Sequence, residues 1–198
     1  MNKIDICNMA LMLINRGRID SLEEDTQEAK ACENFYEHER KRLLRMYGWG
    51  FARKTEQLAL RTNTIPGWDY AYGFPRECIQ VFYVFNEATV DRHEFTRPDF
   101  KIVTATGNDK IIATNIENAW AEYTCNFKDT ENFSEEFTEA LMHTMAAKLA
   151  APLTSNSELV QMHMQLAQAA VSMAIQEDAN EQERRTMYPR IYERARFR

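Results

Sequence analysis

The period of the hydrophobic pattern changes twice along this chain, and that change constrains the fold more than any other feature. Apolar residues recur at helical spacing up to Tyr47, alternate or run together between about 65 and 127, and return to helical spacing after Ser134. The first change falls at Trp49-Gly-Phe-Ala-Arg53, with Gly48 and Gly50 flanking the tryptophan. Such an order predicts an α+β protein. Helices from the two ends of the sequence (1–64 and 128–182) are expected to form an antiparallel bundle. A small antiparallel β domain (65–127) is inserted between them, and an extended arm (183–198) follows.

Residues 4–15 carry Ile4, Cys7, Leu11 and Ile14 at helical spacing, while Ile6, Met9, Ala10 and Leu13 cover most of the remaining circumference. A helix apolar on nearly all sides is buried centrally or shared with a neighbouring chain. Gly17 is placed to end it in a left-handed cap. Ser21-Leu-Glu-Glu24 and Asp25-Thr-Gln-Glu28 read as overlapping capping boxes that open a second helix, with Ala29, Cys32, Tyr36, Leu43 and Tyr47 inward. Glu135 and Glu136 suit the first turn of a third helix. Phe137, Leu141, Met145 and Leu149 follow at helical spacing, and Pro152 is expected to stop the helix soon afterwards. Thr154-Ser-Asn-Ser157 makes a loop and cap. A last helix from 157 to about 182 is roughly 40 Å long at ~1.5 Å per residue, and its Ala, Met and Gln content suits close helix packing.

In the middle, Ile65-Pro66-Gly67-Trp68 predicts a type II turn. Cys78–Phe85 is apolar on both faces and reads as a central strand. Thr89-Val90, 100–103 and 110–113 are further strand candidates, with a hairpin turn at Thr106-Gly107-Asn108-Asp109. Residues 119–127 give the clearest period of two. One antiparallel sheet of about four strands is expected.

Composition narrows the functions. A hydrophobic share of 44% within 198 residues supports a packed core, and a net charge of −6 opposes a protein that grips nucleic acid over its whole surface. The four cysteines, Cys7, Cys32, Cys78 and Cys125, have neither metal-ligand nor thioredoxin spacing. They predict reduced, mostly buried thiols and folding in a cytoplasm. No run approaches the ~20 apolar residues of a membrane span, so no membrane partner is expected. His38-Glu39 lacks the second histidine of a zinc-protease motif, Arg42 standing there instead, and reads as solvated helix charge. His143 and His163 read as surface or satisfied core histidines. The Asp129/Glu131/Glu135/Glu136 cluster lacks the alternation and central Gly of a calcium loop. No Gly-rich phosphate loop, nucleophile elbow or Cys/His pairing is visible. Neither catalysis, nor a metal, nor a cofactor is expected.

Two features point outward. The methionines fall mainly on predicted helices. Core filling is the favoured reading for them, and the alternative is an adaptable surface shared between subunits. From Arg184 to Arg198 the chain has six arginines against one acid, with Tyr188, Tyr192 and Phe197 interleaved. A frayed end, a nucleic-acid contact and a docking arm are the possible readings. The docking arm is preferred because Arg and Tyr are favoured interface anchors.

The order of short motifs resembles one family. Ala10-Leu11, Gly17-Arg-Ile19, Ser21-Leu-Glu-Glu24, Trp49-Gly-Phe-Ala52 and Leu58-Ala59 are followed by Tyr72-Gly-Phe-Pro75-Arg-Glu-Cys78-Ile-Gln-Val81. Phe133-Ser-Glu-Glu-Phe137, Ala140-Leu141 and Ala146-Ala-Lys-Leu-Ala150 come next. Together they resemble the tail tubular protein A family, the head-to-tail adaptors of short-tailed bacteriophages, over roughly residues 4–182. Gly50, Phe74 and Arg76-Glu77 depart from that family's usual Asn, Leu, and small residue with Asp. The resemblance implies a virion protein assembled in the host cytoplasm as a homo-oligomeric ring of twelve copies. That ring would sit beneath the portal protein, receive the tail tube or nozzle below, and let DNA pass through its centre without sequence-specific binding. Cyclic rings need one face of a subunit to meet a different face of the next. Candidates for those faces are Met9 and Met12 on the first helix and Met162, Leu166 and Met173 on the last. Candidates for docking on the portal are Arg184, Arg185, Tyr188, Arg190, Tyr192, Arg194, Arg196 and Phe197. The alternative is a nucleic-acid-binding phage accessory protein that uses the basic tail.

Overall fold

The computed structural model describes residues 1–63, 65–89, 98–105 and 107–181, and these form a mixed α and β protein with four helices and two small antiparallel sheets. Each helix begins at a polar side chain that takes up an orphan amide of its first turn. Helix α1 (Lys3–Leu13) opens with a capping box in which the Asn2 side chain accepts from the Asp5 amide, and the Asp5 carboxylate accepts from the Asn2 amide. It closes at Asn15, whose φ of 57° takes the left-handed position expected of Gly17. Asparagine tolerates that conformation, and it arrives two residues earlier. Helix α2 (Gln27–Met46) is capped by Thr26, which accepts from the Ala29 amide. The expected Ser21–Glu24 box is instead a turn of its own, with the Glu24 carboxylate accepting from the Ser21 amide at 2.7 Å. Asp25 pairs with Lys30.

Helix α3 (Glu135–Thr154) starts at Ser134, which accepts from the Phe137 amide, and ends at Ser155 with φ 52°. Pro152 lies within its last turn, so the stop comes two residues later. For α4 (Ser157–Glu181), Asn156 accepts from the Glu158 and Leu159 amides. Helix α3 packs against α1, α2 and α4. The first core gathers Ile6, Cys7, Leu11, Cys32, Tyr36, Leu43, Phe137, Leu141, Met145 and Leu149 from the first three helices, with Val171 and Ala174 from α4.

Trp49 belongs to this core and is fully buried, its indole N–H donating to the Leu43 carbonyl at 2.8 Å. Its ring meets Phe137 edge-on at 5.0 Å, and Phe51 meets Phe127, Phe133 and Phe137. Such aromatic pairs contribute about 1 kcal/mol each beyond burial. The Trp49–Arg53 segment therefore joins helices drawn from both ends of the sequence.

Among the described residues, seven strands stand where one sheet of about four was expected: β1 (Arg53–Gln57), β2 (Leu60–Arg61), β3 (Tyr70–Gly73), β4 (Cys78–Phe85), β5 (Phe100–Thr104), β6 (Lys110–Thr114) and β7 (Trp120–Cys125). They form a sheet in the order β1-β7-β4 and another in the order β2-β3-β6-β5. The missed strands are short, and β1 is polar along its length, so neither periodicity nor apolar runs mark them. Thr89, expected in a strand, lies in a turn closed by Asn86, and Val90 lies outside the described residues. Gly67 adopts φ 84°, as the type II turn requires, and Gly107 and Asn108 supply the positive φ of the β5–β6 hairpin.

Strand β4 is an edge, not the centre. Its eight residues pair with six of β7, and the register skips Ile79 and Phe82. These two bulges turn Cys78, Val81 and Val84 toward one side and release Ile79 toward the helical core. A strand lying between two cores needs apolar residues on both faces, which accounts for its unbroken hydrophobic run. The second core lies between the sheets and contains Leu58, Tyr72, Val81, Val84, Ile112, Ile116, Ala121 and Tyr123. There the Tyr72 hydroxyl donates to the Ile116 carbonyl.

Candidate subunit interface

The five residues expected on shared faces are all exposed: Met9, Met12, Met162, Leu166 and Met173, with Met173 at 66% and Met12 at 60%. Core filling, the favoured reading of the methionines, holds for Met145 and in part for Met142, but not for these. The reason lies in α4. His163, Ala167, Val171, Ala174 and Asp178 form its buried stripe, so the methionines of α4 stand outside it. Met162, Leu166, Ala169 and Met173 then recur at spacings of four, three and four on the opposite side, exposed along almost three turns. An apolar stripe of this kind, continuous and facing water, is the mark of an interaction surface.

Helices α1 and α4 are tied together where their candidate faces begin. The His163 ring lies with Nε2 3.1 Å from the carbonyl of Leu13, beside Met162 on one helix and Met12 on the other. Burial holds the His163 pKa below its usual value; the hydrogen bond to Leu13 opposes this, and nearby His143 adds to it. His163 is thus a satisfied core histidine on one nitrogen, while its Nδ1 has no partner among the described residues. His143 pairs loosely with Glu139 at 3.8 Å.

The remaining buried polar groups fasten element to element. Arg40 in α2, 1% exposed, donates to the carbonyl of Phe127, to the Asn126 side chain at 2.8 Å and to Glu37 at 2.8 Å. Asn8 makes a two-bond clasp with the backbone of Ile19. Asp178, buried near the end of α4, accepts from the Gly50 amide at 2.9 Å. Glu39 is also buried, against the expectation of solvated charge, because Arg42 at 2.6 Å, His38 at 3.0 Å and Lys148 at 3.9 Å surround its carboxylate. Asn8 had a signal in the sequence, as a lone amide in an apolar helix. Asp178 and Arg40 had none, standing among other charged residues.

Among the described residues, no three His, Cys, Asp or Glu side chains are grouped to hold a metal ion, and no helix is long and apolar enough to cross a membrane. Arg184, Arg185, Tyr188, Arg190, Tyr192, Arg194, Arg196 and Phe197, the expected docking arm, lie outside the described residues. The sequence matches no family model, and no curated protein is similar to it at a significant level.

Proposed function

We propose that this chain is a structural, non-enzymatic subunit of a phage head-to-tail adaptor ring, joining the portal above to the tail tube or nozzle below while DNA passes through. The observation that carries this reading is the exposed Met162-Leu166-Ala169-Met173 stripe on the side of α4 away from α3, together with Met9 and Met12 on α1. In the ring, the stripe of one subunit meets the α1 face of the next, a heterologous contact that closes by rotation. The four helices act as an antiparallel bundle into which the β-strands are inserted. The acidic balance of the chain suits a channel through which DNA slides without being held. The arm from Arg184 to Arg198 docks on the portal, needs no cofactor, and places the protein at the portal vertex of the virion.

Purified chain mixed with portal protein is expected to give a cyclic complex whose mass reports twelve copies, and deletion of residues 184–198 is expected to remove portal binding with the helical signal unchanged. Portal binding that survives the deletion would end the docking-arm reading. The same arm, with six arginines against one acid, supports a second reading as a nucleic-acid-binding accessory protein. That reading predicts DNA affinity that falls steeply with salt and vanishes with the arm.

A further inference from the structure

Cys78 and Cys125, 47 residues apart in sequence, are direct partners across the β4–β7 pair. The Asn126 amide donates to the Glu77 carbonyl at 2.6 Å, just outside the pair, which makes this a position without hydrogen bonds between the two cysteines themselves. At such positions opposite Cα atoms stand about 4.5 Å apart and both side chains leave the same face. A disulfide accepts Cα separations of roughly 4.4–6.8 Å. The register break beside Cys78 gives the strand local freedom to close the remaining gap. Both residues are partly exposed at the rim of the second core. The other two cysteines differ. Cys7 and Cys32 are fully buried in the helical core, out of reach of a dissolved reagent.

We propose that Cys78 and Cys125 are a dithiol modification site, closed to a cross-strand disulfide by small-molecule disulfides of the oxidised-glutathione class. This inference does not depend on the adaptor reading. The Cys125 thiolate attacks one sulfur of the reagent, forming a mixed disulfide and expelling one small thiolate. The Cys78 thiolate then attacks the Cys125 sulfur, forms the protein disulfide, and expels the second. The two protons lost by the protein thiols go to the expelled thiolates, and two electrons reduce the reagent. Burial pushes the Cys78 thiol up to about 12 and raises Cys125 as well, with Lys54 opposing the effect at Cys125. The small thiolate fraction makes closure slow at neutral pH and faster as pH rises. Once closed, the bond straps the edge strand β4 to the central strand β7 and shuts a loop holding β5 and β6.

The test treats the full chain with oxidised glutathione at mildly alkaline pH. Two of the four thiols are expected to be lost, the intact mass to fall by two hydrogens, and a proteolytic map to link residues 78 and 125. The melting temperature is expected to rise by several degrees. Cys78→Ser is expected to keep one glutathione adduct on Cys125 and form no link, and Cys7→Ser to behave as the unmodified chain. Four surviving thiols, a persistent mixed disulfide on the unmodified chain, or a link between residues 7 and 32 would overturn the assignment. A lowered melting temperature of the linked chain would overturn the strap.

Discussion

The Asp178 carboxylate at the end of α4 accepts the amide hydrogen of Gly50 at 2.9 Å, bridging 128 positions of sequence. Gly50 starts the short 3-10 turn that carries Phe51 into the aromatic cluster, and its amide has no partner within that turn. One hydrogen bond thus sets both the entry of the chain into β1 and the docking of the last helix. A hydrogen bond to a charged acceptor is stronger than one between neutral groups.

Asp178→Ala is expected to destabilise the protein by about 1 kcal/mol, because the partly buried hydrogen bond to the Gly50 amide is lost. Asp178→Asn keeps an acceptor oxygen and is expected to lose about half as much. Urea unfolding followed by Trp fluorescence reads both. Equal losses for the two variants would show that charge, not the hydrogen bond to Gly50, holds this end of α4.

Arg40 links α2 to the chain leaving β7 through the Phe127 carbonyl and the Asn126 side chain. Arg40→Ala is expected to cost about 2 kcal/mol, since two partly buried acceptors lose their donor and the buried stem of the side chain is removed. Arg40→Lys restores the charge but cannot present a planar fork to two acceptors at once, so it recovers only part of the loss. Hydrogen exchange is the sharper readout. Protection is expected to fall at Asn126 and Phe127 first, ahead of the β5–β6 hairpin.

The pH dependence follows from His163. Its folded pKa lies below the usual value of 6.5, with burial the main cause. Between those two values the unfolded chain binds more protons than the folded one, so stability falls as pH drops through 6.5 and levels off below the folded pKa. The slope from one such group is at most about 1.4 kcal/mol per pH unit. His163→Gln keeps an amide donor for the Leu13 carbonyl and cannot titrate. It is expected to flatten that part of the stability profile while leaving neutral-pH stability nearly unchanged. Urea midpoints across this range decide it.

The parts legible in the sequence are those where a single periodicity decides the outcome. Helices α2 and α4 each bury one stripe at helical spacing, while α1 and α3, apolar on most sides, are buried around much of their circumference, as the spacing of Ile6, Leu11, Phe137 and Leu141 with their apolar neighbours implies. Caps are harder to read: Ser21 and Asp25 both open competent boxes, yet Thr26 caps α2, with the Ser21–Glu24 bond closing a separate turn before it and Asp25 paired with Lys30. The sheets escaped because β4 breaks its own period at Ile79 and Phe82 to serve two cores, and β1 is an exposed polar edge. On α4 the sequence marks Met162, Leu166 and Met173 as apolar and helical. It does not show which stripe is buried, since methionine suits either side; the structure buries Ala167, Val171 and Ala174 instead.

That division of α4 into two stripes gives the prediction that bears on assembly. Met162 and Met173 are 46% and 66% exposed, so a charge at either is solvated in the isolated subunit. The double variant Met162→Glu/Met173→Glu is therefore expected to unfold within about 0.5 kcal/mol of the parent. In a ring, the same carboxylates would be buried against an apolar neighbour without a partner, at a cost of several kcal/mol per contact repeated at every interface. Sedimentation with portal protein is expected to show free subunits and no ring. Met46→Glu places the same charge on an equally exposed methionine of α2, away from the stripe, and is expected to assemble normally. Rings formed as readily by the double variant as by Met46→Glu would remove the α4 stripe from the subunit contact.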